Sequence, residues 1–331
     1  MRSADSKRET ISKLRFGVDA GFAMLAGMQL DLFTPLKEGP MTAEELAAAI
    51  GVSPGRLRLL LYLLVAAELL TEQDGRFANT DEANKYLVKG ESSYMGNRHA
   101  AIAMRWRQNF GTAESIRSGV PNGKLDFSNA PAEELETFLR NINASAAPSA
   151  RALVKSADFS SLKTLLDVGC GGAGMSITIT KLCPHIMATA VDLASVTPIA
   201  QKIVSEEGAA ERVKVVAADA VNGPLPGTYD AAILKAFLQV LSAQDARRAI
   251  QNVYDALNPG GKLFIIGQIL DDSRLSPLDA VGFNLSFINF FESGESYTDG
   301  EHRNWLIAAG FVDIERYPLS DGGSLMTARK P

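Results

Sequence analysis

The sequence predicts an α/β fold whose mostly parallel sheet is covered by helices on both faces, preceded by a helical segment with a small wing. Three observations predict it. From about residue 159 onward, short apolar runs alternate with helical stretches, the pattern of a parallel sheet with crossover helices. The first run, Leu165-Leu-Asp-Val-Gly-Cys-Gly-Gly-Ala-Gly174, passes through a glycine-rich turn into a helix start near Met175. The first ninety residues instead show helical spacing followed by an Asp-Gly hairpin turn. At 331 residues, with 46% apolar and 7% aromatic content, the chain suits about two globular domains with a real core.

In chain order, Ile11 to Leu36 has helical spacing, with Pro35 near its end. Thr42-Ala-Glu-Glu45 is a capping box opening a short helix, which Gly51-Val-Ser-Pro-Gly55 breaks. Arg56 to Leu70 is a second, leucine-rich helix, and Asp74-Gly75 turns a hairpin. Helix, turn, helix and wing is the outline of a DNA-binding module. A recognition helix, however, needs polar side chains along its length to reach base edges. Here only Arg56 and Arg58, at the start, and Glu68 break a run of Leu, Tyr, Val and Ala. Burial within its own domain or against another subunit suits this helix better. Residues 93–158 read as a helical bridge roofing the active site. In it, Arg98, Arg105, Trp106 and Arg107 lie close together, and Arg98 and Arg105 fall near one helix face. They are a solvated face or an anchor for a carboxylate. Ala130-Pro-Ala-Glu-Glu134 opens the next helix, and Asp158-Phe-Ser-Ser161 links to the last domain.

The glycines let the backbone take positive φ and approach a ligand. Gly169, Gly171 and Gly174 satisfy G-x-G-x-x-G, so a dinucleotide site stays open on spacing alone. Asp167 tilts the choice: a carboxylate two residues before the first glycine repels a pyrophosphate and suits the amino group of a methionine moiety. Asp-x-Gly-x-Gly-x-x-Gly resembles motif I of the class I S-adenosylmethionine methyltransferases. Further strands follow: Ala188 to Leu193 with Asp192, Val213 to Asp219 followed by Ala220, Tyr229 to Leu234 followed by Lys235, and Lys262 to Ile266 after Asn258-Pro-Gly-Gly261. Ala243 to Leu257 is helical. In such sheets ligands bind at the carboxyl ends of strands, where Asp192, Asp219 and Lys235 stand. Val312 to Tyr317 and Ser324 to Ala328, joined by Pro318 to Gly323, form an edge hairpin.

With these features in place, residues from about 10 to 331 resemble the small-molecule O-methyltransferases that join a winged-helix-like dimerisation domain (1–92) to a Rossmann-like class I methyltransferase domain (159–331). The Asn-Pro-Gly-Gly turn and Ala308-Ala-Gly-Phe311 also look like this family. The resemblance implies S-adenosyl-L-methionine as cofactor, a small-molecule methyl acceptor and a homodimer formed through the N-terminal domain. It implies that Asp167, Gly169 and Gly171 hold the methionine end and Asp192, with Leu193, the ribose. Asp219 and Ala220 would border the adenine, with Lys235 nearby.

The chain departs from the family where the chemistry lies. The family's general-base His follows a Leu-Lys segment, which here reads Leu234-Lys-Ala-Phe-Leu-Gln239-Val240, so Gln239 stands at the His position. An amide is not a base near neutral pH. The family's Glu of Gly-x-Glu-Arg-Thr is also replaced: Ser296 occupies it in Gly294-Glu-Ser-Tyr-Thr298. Three readings stand. The acceptor needs no deprotonation, as with a thioether sulfur or a carboxylate, and Gln239 positions it by hydrogen bonding; relatives that methylate methylthiohydroxybutyrate give this precedent. Or His302 or Tyr297 is the base. Or the domain binds the cofactor without transferring methyl. Ala280 to Phe291 should line the acceptor site, with Phe287 and Phe291 at i, i+4 and Asn284 as a polar contact.

A net charge of −5 gives no broad electrostatic case for nucleic acid. Two cysteines, Cys170 and Cys183, are too few for a disulfide framework and fit a reducing, cytoplasmic compartment. His99, His185 and His302 are far apart, and no metal-ligand spacing occurs. The polar N-terminus carries no signal-peptide core, and the apolar stretch Ala20 to Leu30 is too short to span a membrane.

Overall fold

The computed structural model describes residues 9–91, 93–124, 127, 129–143, 145–319 and 323–331. The polar N-terminus before Glu9 and residues 320–322 of the Pro318–Gly323 connection lie outside the described residues. The chain divides into two compact units, Met1–Met104 and Arg105–Pro331. The expected bridge, 93–158, falls on both sides of that division.

The N-terminal unit begins with α1 (Glu9–Gln29). This helix stops seven residues short of the predicted Leu36, because Asp31 takes a left-handed φ of 52° and a 3-10 turn at Pro35–Glu38 follows. Next come β1 (Met41–Thr42), α2 (Ala43–Ile50) and α3 (Pro54–Ala66). The predicted capping box is present. Thr42 Oγ1 accepts from Glu45 N at 3.2 Å and Glu45 Oε2 accepts from Thr42 N at 2.8 Å, a cap of about 1 kcal/mol. α3 starts at Pro54, whose missing N–H costs nothing in a first turn, and it ends before Glu68, at φ 61°. β2 (Leu70–Gln73) and β3 (Arg76–Asn79) form the hairpin, and β1 pairs with β3 to complete a three-stranded wing. α4 (Asp81–Leu87) closes the unit. Leu57, Leu61 and Leu64 of α3 are buried with Leu46 and Phe77, while Leu59 (70% exposed) and Tyr62 (51%) face outward.

The C-terminal unit takes in the end of α5 (His99–Asn109), then α6 (Thr112–Ser118), α7 (Ala132–Asn143) and α8 (Ala146–Ser156). The alternating part follows: β4 (Thr164–Val168), α9 (Gly174–Leu182), β5 (Met187–Asp192), α10 (Thr197–Glu206), β6 (Val213–Ala217), β7 (Tyr229–Lys235), α11 (Ala243–Ala256) and β8 (Leu257–Gly267). Then come α12 (Leu278–Phe290), α13 (Asp299–Ala309), β9 (Val312–Pro318) and β10 (Ser324–Arg329). The strand order is β6-β5-β4-β7-β8-β10-β9. All neighbours are parallel until β10, which pairs antiparallel with both β8 and β9. β4 and β7 are central, and their alternate residues feed opposite faces. Leu165, Ile233 and Phe264 pack on one side with Ile177 and Ile203; Leu166, Leu234 and Leu263 pack on the other with Ile250 and Val253.

The Asn258-Pro-Gly-Gly261 segment is not a turn before a strand. It is a bulge inside β8: Tyr229 pairs with Leu257, but Ala231 already pairs with Lys262.

Candidate active site

The carboxyl ends of β4, β5 and β7 converge on one cleft. β4 runs into Gly169 and Gly171, both left-handed at φ 66° and 53°. Gly169 N and Cys170 N donate to Val191 O of β5, which pins the loop to the neighbouring strand. A Cβ at Gly169 would lie 2.4 Å from the Phe237 ring, so only glycine fits there. Ala173 and Ala236, also left-handed at 58° and 54°, stand just beyond β4 and β7. Backbone strain of this kind clusters at functional sites.

Asp192, ending β5, reaches back to the loop. Its Oδ2 accepts from Gly171 N and its Oδ1 from Leu193 N, both at 2.8 Å. Each oxygen keeps a lone pair for a ligand hydroxyl. Asp167 is turned inward. Its Oδ2 accepts from Ser176 Oγ at 2.7 Å and Ser176 N at 3.2 Å, so it braces the first turn of α9. Burial pushes its carboxyl up to about 6; the Ser176 hydrogen bonds pull down, the Asp192 charge adds to the rise and Lys235 opposes it. Burial raises Asp192 as well. Lys235, ending β7, donates to Ser145 Oγ at 2.9 Å.

S-adenosylmethionine fits this set. Two desolvated carboxylates that repel each other favour a cationic ligand and disfavour a pyrophosphate. Asp192 keeps lone pairs that can accept ribose hydroxyls, and Gly169, Cys170 and Gly171 of the loop are only partly buried. Asp167, expected at the methionine end, also has a structural duty: its Oδ2 serves Ser176 at the start of α9. So does Asp219. It lies beyond β6, and its oxygens accept from Val221 N, Asn222 N and Asn222 Nδ2, closing its own turn. Ala220 is buried, and its carbonyl accepts from Asn252 Nδ2 at 2.9 Å. Leu193 is half-exposed beside Asp192.

Sequence reasoning missed Asn143. Ala173, the N-cap of α9, is left-handed and caps nothing with its side chain. Asn143 Oδ1, from the end of α7, accepts from Gly174 N at 3.0 Å instead. Cβ atoms on Gly172 or Gly174 would collide with the same Asn143 amide. Asn252 was missed likewise. A lone Asn has no local signal when its partner is tens of residues away.

The three expected catalytic residues are all buried and bonded to the backbone. Gln239 is buried, and its Oε1 accepts from Gln268 N at 2.9 Å, so this end of the amide is committed to the backbone. His302 is 3% exposed, its Nδ1 paired with Thr298 O at 2.9 Å and its ring packed against Trp305. Burial pushes its pKa below the usual range. Tyr297 donates to Leu241 O at 2.7 Å, and burial, with Glu295 and Glu301 nearby, pushes its pKa to about 12. Each is thus engaged with a backbone carbonyl, Thr298 O for His302 and Leu241 O for Tyr297. Gln239, Gln268 and His302 line a cavity of about 10 Å³, room for roughly one water.

In the acceptor wall, Phe287 and Phe291 do meet, with ring centroids 5.9 Å apart, although Phe291 lies just past the end of α12. Asn284 Oδ1 accepts from Ser296 N at 2.9 Å and so ties α12 to the segment before α13. Ser296, expected at the family's Glu position, is buried and donates to Ala280 O. Arg98 sits in the 3-10 turn Gly96–Arg98 before α5, so it does not share an α-helical face with Arg105. Trp106 is half-buried in the C-terminal unit. Among the described residues, no His/Cys/Asp/Glu group is placed to hold a metal ion. No single described helix is long and apolar enough to cross a membrane.

Comparison with known proteins decides the family. Residues 104–312 match the model of an O-methyltransferase domain, and residues 13–89 that of an O-methyltransferase dimerisation domain. The chain belongs to this O-methyltransferase family. A 3-hydroxy-5-methyl-1-naphthoate 3-O-methyltransferase of Streptomyces sahachiroi is 29% identical over 313 residues, covering 91% of this chain and 88% of its own. The tetracenomycin polyketide synthesis 8-O-methyl transferase TcmO of Streptomyces glaucescens is 27% identical, covering 93% of each. Among solved structures, the S-adenosylmethionine-dependent methyltransferase SibL superposes with a TM-score of 0.82 at 26% identity, covering 98% of this chain and 100% of SibL. The family uses S-adenosylmethionine, and this chain is one of its methyltransferases.

Proposed function

We propose that this O-methyltransferase family member moves the methyl group of S-adenosylmethionine to a small organic acceptor at an atom that needs no histidine base. When bound, the cofactor supplies a methyl group already activated on a sulfonium. The chain's part is to hold and align: Asp192 and the glycine loop seat the nucleoside, Asn143 and Asp167 stiffen that seat, and the phenylalanines of α12 exclude water from the acceptor. Alignment alone supplies much of the acceleration of an in-line displacement. The carrying observation is the hydrogen bond from Gln268 N to Gln239 Oε1, with His302 and Tyr297 both buried and engaged.

Acceptors that meet this requirement include a thioether acid such as methylthiohydroxybutyrate, a carboxylate, and a hydroxyl or ring carbon ionised without help. The aromatic wall, and the naphthoate named for the Streptomyces sahachiroi relative, support a ring-bearing acceptor over a short aliphatic one. The dimerisation domain supports a homodimer. The outward Leu59 and Tyr62 of α3, where a DNA reader would carry polar groups, support protein contact over nucleic acid. Two free thiols fit a reducing compartment such as the cytoplasm. An acceptor screen with methyl-labelled cofactor tests the reading, using thioether acids, phenolic acids, neutral phenols and aliphatic alcohols. Label on thioether or phenolic acids supports it; label confined to aliphatic alcohols, which require a base, or no transfer despite cofactor binding, overturns it.

A further inference from the structure

We infer that Arg105 is the anchor for a carboxylate on the methyl acceptor, whose apolar body lies along a run of phenylalanines leading back to the cofactor loop. The inference rests on the methyl-transfer reading above and adds the chemical class of the acceptor.

Arg105 is half-buried, and its guanidinium carbon stands 5.6 Å from the centroid of the Phe283 ring. Asp279 acts on it electrostatically, but among the described residues no carboxylate forms an ion pair with it. Burying a cation without a partner is costly, and burial indeed lowers its pKa. A guanidinium presents a planar fork of donors matched to the two oxygens of a carboxylate.

Phe283 is the first ring of a continuous series. Its centroid is 5.4 Å from that of Phe287, and Phe287 is 5.9 Å from Phe291. Phe291 lies nearly parallel to Phe127, at 6.5 Å and 8°, and Phe127 is 5.5 Å from Phe138. Phe138 belongs to α7, the helix whose Asn143 caps α9 behind the glycine loop. Four of the five rings are only partly buried, so the series is not sealed core. On α12, residues 283, 286, 287 and 290 share one face at i, i+3, i+4 and i+7. Ser286 on that face is 4% exposed, and its Oγ has no hydrogen-bond partner. A charged end, an apolar wall and one unmatched hydroxyl describe a site for an amphipathic acid.

The test uses the full-length protein saturated with S-adenosylhomocysteine, and calorimetry with hydroxynaphthoate, hydroxycinnamate and methylthiohydroxybutyrate, each beside its neutral carboxamide. At least one acid should bind about tenfold or more tighter than its amide, the scale of a charged hydrogen bond. Arg105→Met should erase that ratio with S-adenosylhomocysteine affinity unchanged, and Arg105→Lys should retain part of it. Preference for an aromatic acid or for the thioether acid tells which body the wall receives. If no acid outbinds its amide, or Arg105→Met weakens acid and amide alike, the assignment to Arg105 is overturned. Absence of S-adenosylhomocysteine binding would sink the methyl-transfer reading, and this inference with it.

Discussion

Asn143 Oδ1 accepts the backbone N–H of Gly174 at 3.0 Å, so the helix that follows the glycine loop is capped by a side chain from a different helix. The cap Ala173 does not supply comes from 31 residues upstream.

Replacing this cap should loosen the cofactor seat. Asn143→Ala is expected to cost about 1 kcal/mol, hence about fivefold in affinity for S-adenosylhomocysteine, with Asn143→Asp close to wild type because a carboxylate also caps well. Calorimetry checks this. A lower melting temperature with unchanged affinity would show that the cap serves the fold alone.

Gly169→Ala meets two obstacles at once. The residue sits at φ 66°, and its new Cβ would lie 2.4 Å from Phe237. Left-handed strain and overpacking together should cost about 2 to 5 kcal/mol in urea unfolding. Adding Phe237→Ala removes the clash but not the strain, so the double variant should recover part of the loss relative to Phe237→Ala alone. Full recovery would mean that the φ constraint is negligible.

Gln239→His should not create an efficient base. The substitution removes the oxygen that accepts from Gln268 N, and stranding that buried donor should cost about 1 to 3 kcal/mol. Turnover on a phenolic acceptor should rise less than tenfold. A gain of about 100-fold, the reach of general-base catalysis, would show that the pocket is still built for one.

Asp167 makes stability depend on pH in a defined direction. Its carboxyl holds its proton up to about pH 6 in the folded protein, whereas an aspartate in the unfolded chain loses it at about pH 3.9. Between those values the folded state binds more protons, so this group's contribution falls as pH rises, by up to roughly 3 kcal/mol across the window. Asp167→Asn lacks that slope. Compared with wild type, its urea midpoint should improve between pH 4.5 and pH 7. Parallel pH profiles for the two proteins would refute the shift.

How much of this was legible from the chain follows from where each partner sits. The glycine loop, the acidic end of β5 and the order of strands are local patterns, and periodicity exposes them. The Leu-Lys segment that leads to Gln239 was visible for the same reason. Helix ends were less so: Asp31 and Glu68 adopt left-handed φ without glycine's signal, so α1 and α3 run shorter than their apolar periodicity suggests. Side-chain duties were least legible. Asp167, Asn284 and Tyr297 are polar residues near a cleft, yet each bonds inward, to Ser176, Ser296 and Leu241. A buried polar group must find a partner, and sequence does not say whether that partner is a ligand or the protein itself. Arg105 is the converse case, a cation on an ordinary-looking helix whose lack of an ion pair only the packing discloses.

Helix α7 carries Phe138 in the aromatic series and Asn143 at the glycine loop, five residues apart. One rigid rod therefore touches both proposed lodgings, and settling it against either occupant should steady its grip on the other. Such coupling is reciprocal by thermodynamic necessity. The spent nucleoside should leave more slowly while the methylated product lingers, and the product more slowly while the nucleoside stays; stopped-flow release measured with and without product decides whether the rod transmits anything.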